Sequence, residues 1–175
     1  QRTTEFLLKA VETSPEEAPN ITGLTGTQIQ VKLGQNIDVA LTAQYLSNLM
    51  GRMPCNDPKH DRWLNALNKC TRKIQRAQTA NGSTAGNGWA GVLQSSFAAN
   101  ALESAQHVGA DVDDKALEKA RDFQQGNFNA NTGTVATDMA AGVTLYAVSG
   151  STRSSAKQAR EVKEVLEKAR KDGKV

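Results

Sequence analysis

The sequence predicts an all-α protein, an arc of about three antiparallel helical hairpins, and three features of the chain point there. Apolar residues recur every three to four positions along most of the chain from Ile37 onward. Ala-rich segments at 37–50, 89–107 and 134–149 take turns with segments rich in Lys, Glu and Arg. Segments 66–69 (ALNK) and 116–119 (ALEK) align at a spacing of fifty residues, within the range of helical-pair repeats. Alanine lets helix axes approach closely in an inner layer, whereas charged side chains belong on an outer one. A length of 175 residues suits a single helical domain, 1–175, able to bury a genuine core.

The elements follow in order. Arg2–Thr13 reads as a short amphipathic helix with Phe6, Leu7, Ala10 and Val11 as its apolar positions. Ser14-Pro15-Glu16-Glu17 carries a helix-start signature that Pro19 cuts to one turn. With Gly23, Gly26 and Gly34 following, residues at about 14–35 read as an irregular, mobile connection. Ile37–Met50 has Ile37, Leu41, Tyr45 and Leu49 in one i+4 row. Ala40, Ala43, Leu46 and Met50 widen that stripe, so this helix lies inside. Residues 57–78 form a more polar helix, opened by Asp57-Pro58, with Trp63, Leu64, Leu67, Cys70 and Ile74 inward. Trp89, Leu93, Phe97, Ala101 and Ala105 line a helix over 89–107. Ala116, Leu117, Ala120 and Phe123 face in from 113–124. Val135, Met139, Val143 and Ala147 do so from 134–149. The most charged helix, 154–171, turns Ala159, Val162, Leu166 and Ala169 inward.

Composition narrows the functional classes. Hydrophobic residues make up 38% and charged ones 22%, the balance of a globular protein. No apolar run approaches the roughly 18–20 residues that span a bilayer, and no secretory signal opens the chain. Gln1 is not an initiating residue, which reads as a cut or processed start. The net charge of +3 is mild, and Lys157, Arg160, Lys163, Lys168 and Arg170 are interleaved with Glu161, Glu164 and Glu167. A nucleic-acid site wants clustered positive charge with stacking aromatics, so nucleic acid is not an expected partner. Cys55 and Cys70 sit too far apart for a bridge: twelve helical residues separate Cys70 from Pro58, about 18 Å along an axis.

Gln78, the Asn81-Gly82 turn and Gly86-Asn87-Gly88-Trp89 precede the small-residue run SSFAANALESAQ. Gln124 and Gly126-Asn127-Phe128 repeat that order, with Phe where Trp stood. Over about residues 64–150 the chain resembles the prenyltransferase/squalene-oxidase repeat of α/α toroids (terpenoid cyclases and protein prenyltransferases). The resemblance implies outer helices ending in Gln, a Gly-rich turn with Gly-x-Trp, and small-residue inner helices. It also implies rings of five to seven hairpins, of which this chain offers about three.

The same resemblance offers candidate chemistry. Asp111-Val112-Asp113-Asp114 matches the DxDD of class II terpene cyclases, which would make Asp111, Asp113 or Asp114 a Brønsted acid. Helix capping is the alternative, because carboxylates at a helix start bind free N–H groups. His60 and His107 have no Cys at ligand spacing, so no metal and no cofactor is expected. Asp38, Gln94, Asn100 and Asp138 lie on small-residue helices and form the candidate ligand-binding set, with capping or interhelical bonding as the alternative. The expected function is a non-catalytic binding or scaffold module for a protein partner or an apolar small molecule, which a homodimer would complete. The alternative is a terpene-cyclase-like isomerase, or another toroid enzyme, whose site is completed by a longer chain or a dimer.

Overall fold

The computed structural model describes residues 2–84, 86, 88, 90–129, 131–135 and 143–173. Its elements in chain order are α1 (Arg2–Thr13), α2 (Gln28–Leu33), α3 (Ile37–Met50), α4 (His60–Ala77), α5 (Gly91–His107), α6 (Asp114–Gly126), β1 (Phe128–Asn129), β2 (Thr134–Val135) and α7 (Val143–Lys171). The protein is all-α apart from the two-residue ladder of β1 and β2, which pair antiparallel.

The Ala-rich helices α3 and α5 pack against each other at the centre. Ala40, Ala43 and Leu46 of α3 and Ala101, Leu102 and Ala105 of α5 are fully buried. Small side chains let the two backbones close up, and Gln44 bonds Ser104 across the pair at 3.0 Å. Helix α4 lies against α3 and α5, and presents Leu67, Cys70 and Ile74 to the core. Helix α1 lies outside α4, while α6 and α7 cover α5 on the other side. Helix α1 buries Thr4, Leu8 and Val11, whereas Phe6, expected in its apolar row, is 65% exposed.

The connection at about 14–35 is fastened to α4 and contains α2. Free carbonyls at the end of α1 and beyond need donors, and α4 supplies them. Lys69 Nζ donates to the carbonyls of Glu12 and Ser14. The buried Lys73 Nζ donates to Pro15, Glu16 and Ala18. Within this stretch Thr27 and Gln30 form a reciprocal capping box that starts α2.

Two boundaries differ from the sequence reading. Helix α4 begins at His60, because Asp57 caps a tight turn instead: its Oδ1 accepts from Lys59 N at 2.8 Å and its carbonyl from His60 N at 2.9 Å. The expected third hairpin, helices 134–149 and 154–171, is replaced by one continuous helix through Gly150. Thr134 and Val135 belong to β2 instead of a helix. At 29 residues α7 is about 43 Å long. A straight helix has no second limb to cover its far face. Val162 and Leu166, expected inside, are 58% and 47% exposed.

Candidate interaction surface

Of the four ligand-binding candidates, Asp38 and Gln94 make hydrogen bonds that tie the fold together. Asp38, near the start of α3, accepts hydrogen bonds from Ile21 N, Thr22 N and Thr22 Oγ1 at 3.1–3.2 Å and so fastens the 14–35 connection. Gln94 is fully buried: its Oε1 accepts from Thr84 Oγ1 at 2.8 Å and its Nε2 donates to Asn36 Oδ1 at 2.7 Å. This triad ties α5 to the start of α3 and to the loop before α5. Asn100 is half-buried on α5 and joins neither group. Asp138 lies outside the described residues, as do Trp89 and Met139.

Asp111, Asp113 and Asp114 are all exposed. Asp113 is the N-cap of α6, its Oδ1 accepting from Lys115 N at 3.1 Å. Asp111 offers backbone groups to Asn68 and Thr71 of α4, and Asp114 accepts from Gln106 Nε2 at 2.8 Å. That is the geometry of a helix cap stitched to its neighbours. Among the described residues no group of three or more His, Cys, Asp or Glu could hold a metal ion.

Gln78 and Gln124, the paired glutamines of the resemblance, differ. Gln78 Nε2 reaches the Ala116 carbonyl at 2.8 Å and so bonds α6 to the end of α4. Gln124 is buried, and neither of its amide atoms has a hydrogen-bond partner among the described residues. Both cysteines are free, and burial pushes the Cys70 thiol up to about 12.

The unusual feature is how α7 docks. An ordinary surface helix turns its apolar stripe inward and its charges outward. Between Lys157 and Leu166 helix α7 does the reverse. Lys157 pairs with the buried Glu103 of α5, and Gln158 bonds Gln125 of α6 at 2.5 Å. Glu161 takes both ends of the Arg121 guanidinium, at 2.9 and 2.5 Å. Arg121 also reaches Glu103 at 3.2 Å. The Glu103 side chain is only 4% exposed, so its charge depends on these two cations. Burial disfavours the Arg121 charge, but the hydrogen bonds it donates to Glu161 and Glu103 prevail and hold its pKa above the ordinary arginine value. Arg160 and Glu164 overhang a polar cleft of about 650 Å³ against the C-terminal ends of α3 and α5.

No family model, no curated protein and no solved structure matches this chain.

At 100° per residue, Lys157, Gln158, Glu161 and Glu164 share the face of α7 that meets the body. Val148, Ser155, Ala159, Leu166 and Ala169 fall on the opposite side, and Val162 lies at the edge of that row, where it borders the cleft between α6 and α7 with Leu117 and Arg121. Val148 is 40% exposed and Val165, beside that row, 67%. The row spans 148–169, about 32 Å of helix. The period of the apolar positions is plain in the sequence, but the side that stays uncovered is not. The residues that decide it, Glu103 and Arg121, are on other helices.

Proposed function

We propose that the protein is a non-catalytic binding or scaffold module of the α/α toroid repeat type, whose contact surface is the outward apolar row of α7. The observation that carries this reading is the inverted docking of α7 over residues 157–166, polar face to the body and apolar residues to solvent. Covering Val162, Val165 and Leu166 would each contribute about 1 kcal/mol, given roughly 1.5–3 kcal/mol for full burial of such a side chain. A row of that kind, set on a helix fixed by charge pairs, marks a place where another surface sits. The repeat type is supported by small-residue α3 and α5 inside, charged α4 and α6 outside, and Gln78 bonding one outer helix to the next. Among the described residues no helix is long and apolar enough to cross a membrane.

The test is Val162→Ser with Leu166→Ser in the full chain, followed by thermal melting. A contact surface predicts a melting temperature within about 4 °C of the parent, because two exposed substitutions change stability by under about 0.5 kcal/mol each and about 1 kcal/mol is worth roughly 2–4 °C in a chain of this size. A loss of several kcal/mol, as for deleting core side chains, would mean that the row is packed inside and the reading is wrong.

A further inference from the structure

We propose that the partner seated on α7 is an acidic amphipathic helix, recognised by the apolar row together with Lys163 and Arg170 along one edge. This rests on the binding-module reading and names the chemistry of the partner.

The charges nearest the row are unbalanced. Lys163 lies one helical turn from both Ala159 and Leu166, and Arg170 one turn beyond Leu166, so the two form a basic border on one side. The opposite border holds Val165, with no charge, because Gln158 on that side is taken up by Gln125 of the body. The carboxylates of α7 point elsewhere: Glu161 toward Arg121, Glu164 into the cleft, and Glu167 away from the row. Glu167 meets Lys163 only at 3.8 Å, with both side chains more than half exposed. Across α7 seven Lys and Arg stand against three Glu, so this helix carries more net positive charge than the whole chain.

Helix pairs choose partners through residues bordering the apolar seam. A second copy packed antiparallel would set Lys163 and Arg170 against their own equivalents, like charge on like. Packed parallel, it would set them against Val165, which offers no counter-charge. A helix with Glu or Asp bordering its own apolar seam satisfies both cations. The row also contains Ser155, Ala159 and Ala169, whose small side chains let a second helix axis come close. It has no aromatic residue of the kind that anchors an in-plane helix at a lipid interface.

The experiment uses the full chain and two labelled synthetic peptides of about 21 residues, matched to the row at 1.5 Å per residue. Both carry Leu and Ala in an a/d seam, one with Glu at the bordering positions and one with Lys. Fluorescence anisotropy is expected to show the Glu peptide binding at least about tenfold more tightly, a difference that shrinks as salt screens the border. Lys163→Glu with Arg170→Glu is expected to reverse the order. Val162→Ser with Leu166→Ser is expected to weaken the Glu peptide at least about tenfold. Equal binding of both peptides, or binding of neither, overturns the acidic-helix proposal. So does row-dependent self-association in sedimentation, or row-dependent binding to phosphatidylserine vesicles. None of these touches the contact-surface reading, which fails only if the serine variant loses stability.

Discussion

Glu103→Gln keeps the shape of a buried side chain and removes its charge. In the parent, one carboxylate oxygen accepts from Arg121 Nε at 3.2 Å and the other meets the Lys157 ammonium. Breaking a fully buried ion pair by removing one partner costs about 3–5 kcal/mol. Here Lys157 is 30% exposed and Arg121 keeps Glu161, so the expected loss is smaller, about 2–3 kcal/mol. Because these contacts fasten α7, the loss should appear there first. Hydrogen exchange over 152–171 is expected to accelerate roughly 30- to 150-fold, the equivalent of that free energy at 1.36 kcal/mol per decade. Combining Glu103→Gln with Lys157→Met should give less than the sum of the two effects, with a coupling of about 1 kcal/mol. Parent-like exchange in Glu103→Gln, with additive single effects, would refute the claim that charge pairs dock α7 by its polar face.

Two further outcomes follow from the fold. Gly82 has φ of +89°, and a Cβ there would stand 2.1 Å from the Lys119 carbonyl oxygen. Gly82→Ala should therefore cost about 2–5 kcal/mol from strain plus overpacking. Its melting temperature should drop well below that of Gly109→Ala, where φ is also positive but the space is open. In acid, α1 should loosen from α4. Hydrogen bonds from Arg62 hold the Glu5 and Glu12 carboxyls, and one from Arg72 holds Glu16, below the usual value of 4.5. Depressed folded-state values stabilise above the unfolded pKa and lose that effect as pH falls through the lower ones. Exchange in α1 should rise from about pH 4.5 downward, modestly because the groups are exposed, and Arg62→Ala should flatten the response.

Much of the helical layout was legible. The rows through Leu46 of α3, Ile74 of α4 and Ala101 of α5 point to the core because small and apolar side chains recur at helical spacing. Asp113 as an N-cap was legible as well, since an Asp before a polar-outside helix is a local signal. Helix α2 was readable in principle from Thr27 and Gln30, but six residues among Gly and Pro give no period to follow. The continuity of α7 was not legible. Gly150-Ser151-Thr152-Arg153 reads as a break, whereas the helix runs on through it and Lys157, Gln158 and Glu161 match Glu103, Gln125 and Arg121 of the body. That match also reverses the expected facing of Val162 and Leu166. A sequence period specifies which side chains share a face, and tertiary partners decide where the face points. The polar candidates Asp38 and Gln94 were located correctly on the inner helices, but their partners Thr22, Thr84 and Asn36 come from loops and helix starts that carry no periodic signal.

The most direct test of the outward row is thiol labelling of Val162→Cys in dilute native protein, with Cys55 and Cys70 as internal standards. Cys55 is exposed and Cys70 buried, which sets the fast and slow limits within one sample. The account predicts that the new thiol reacts at about the rate of Cys55 while Cys70 stays protected. Protection of the new thiol at the level of Cys70, unchanged on further dilution, would place the row inside the fold and contradict the account.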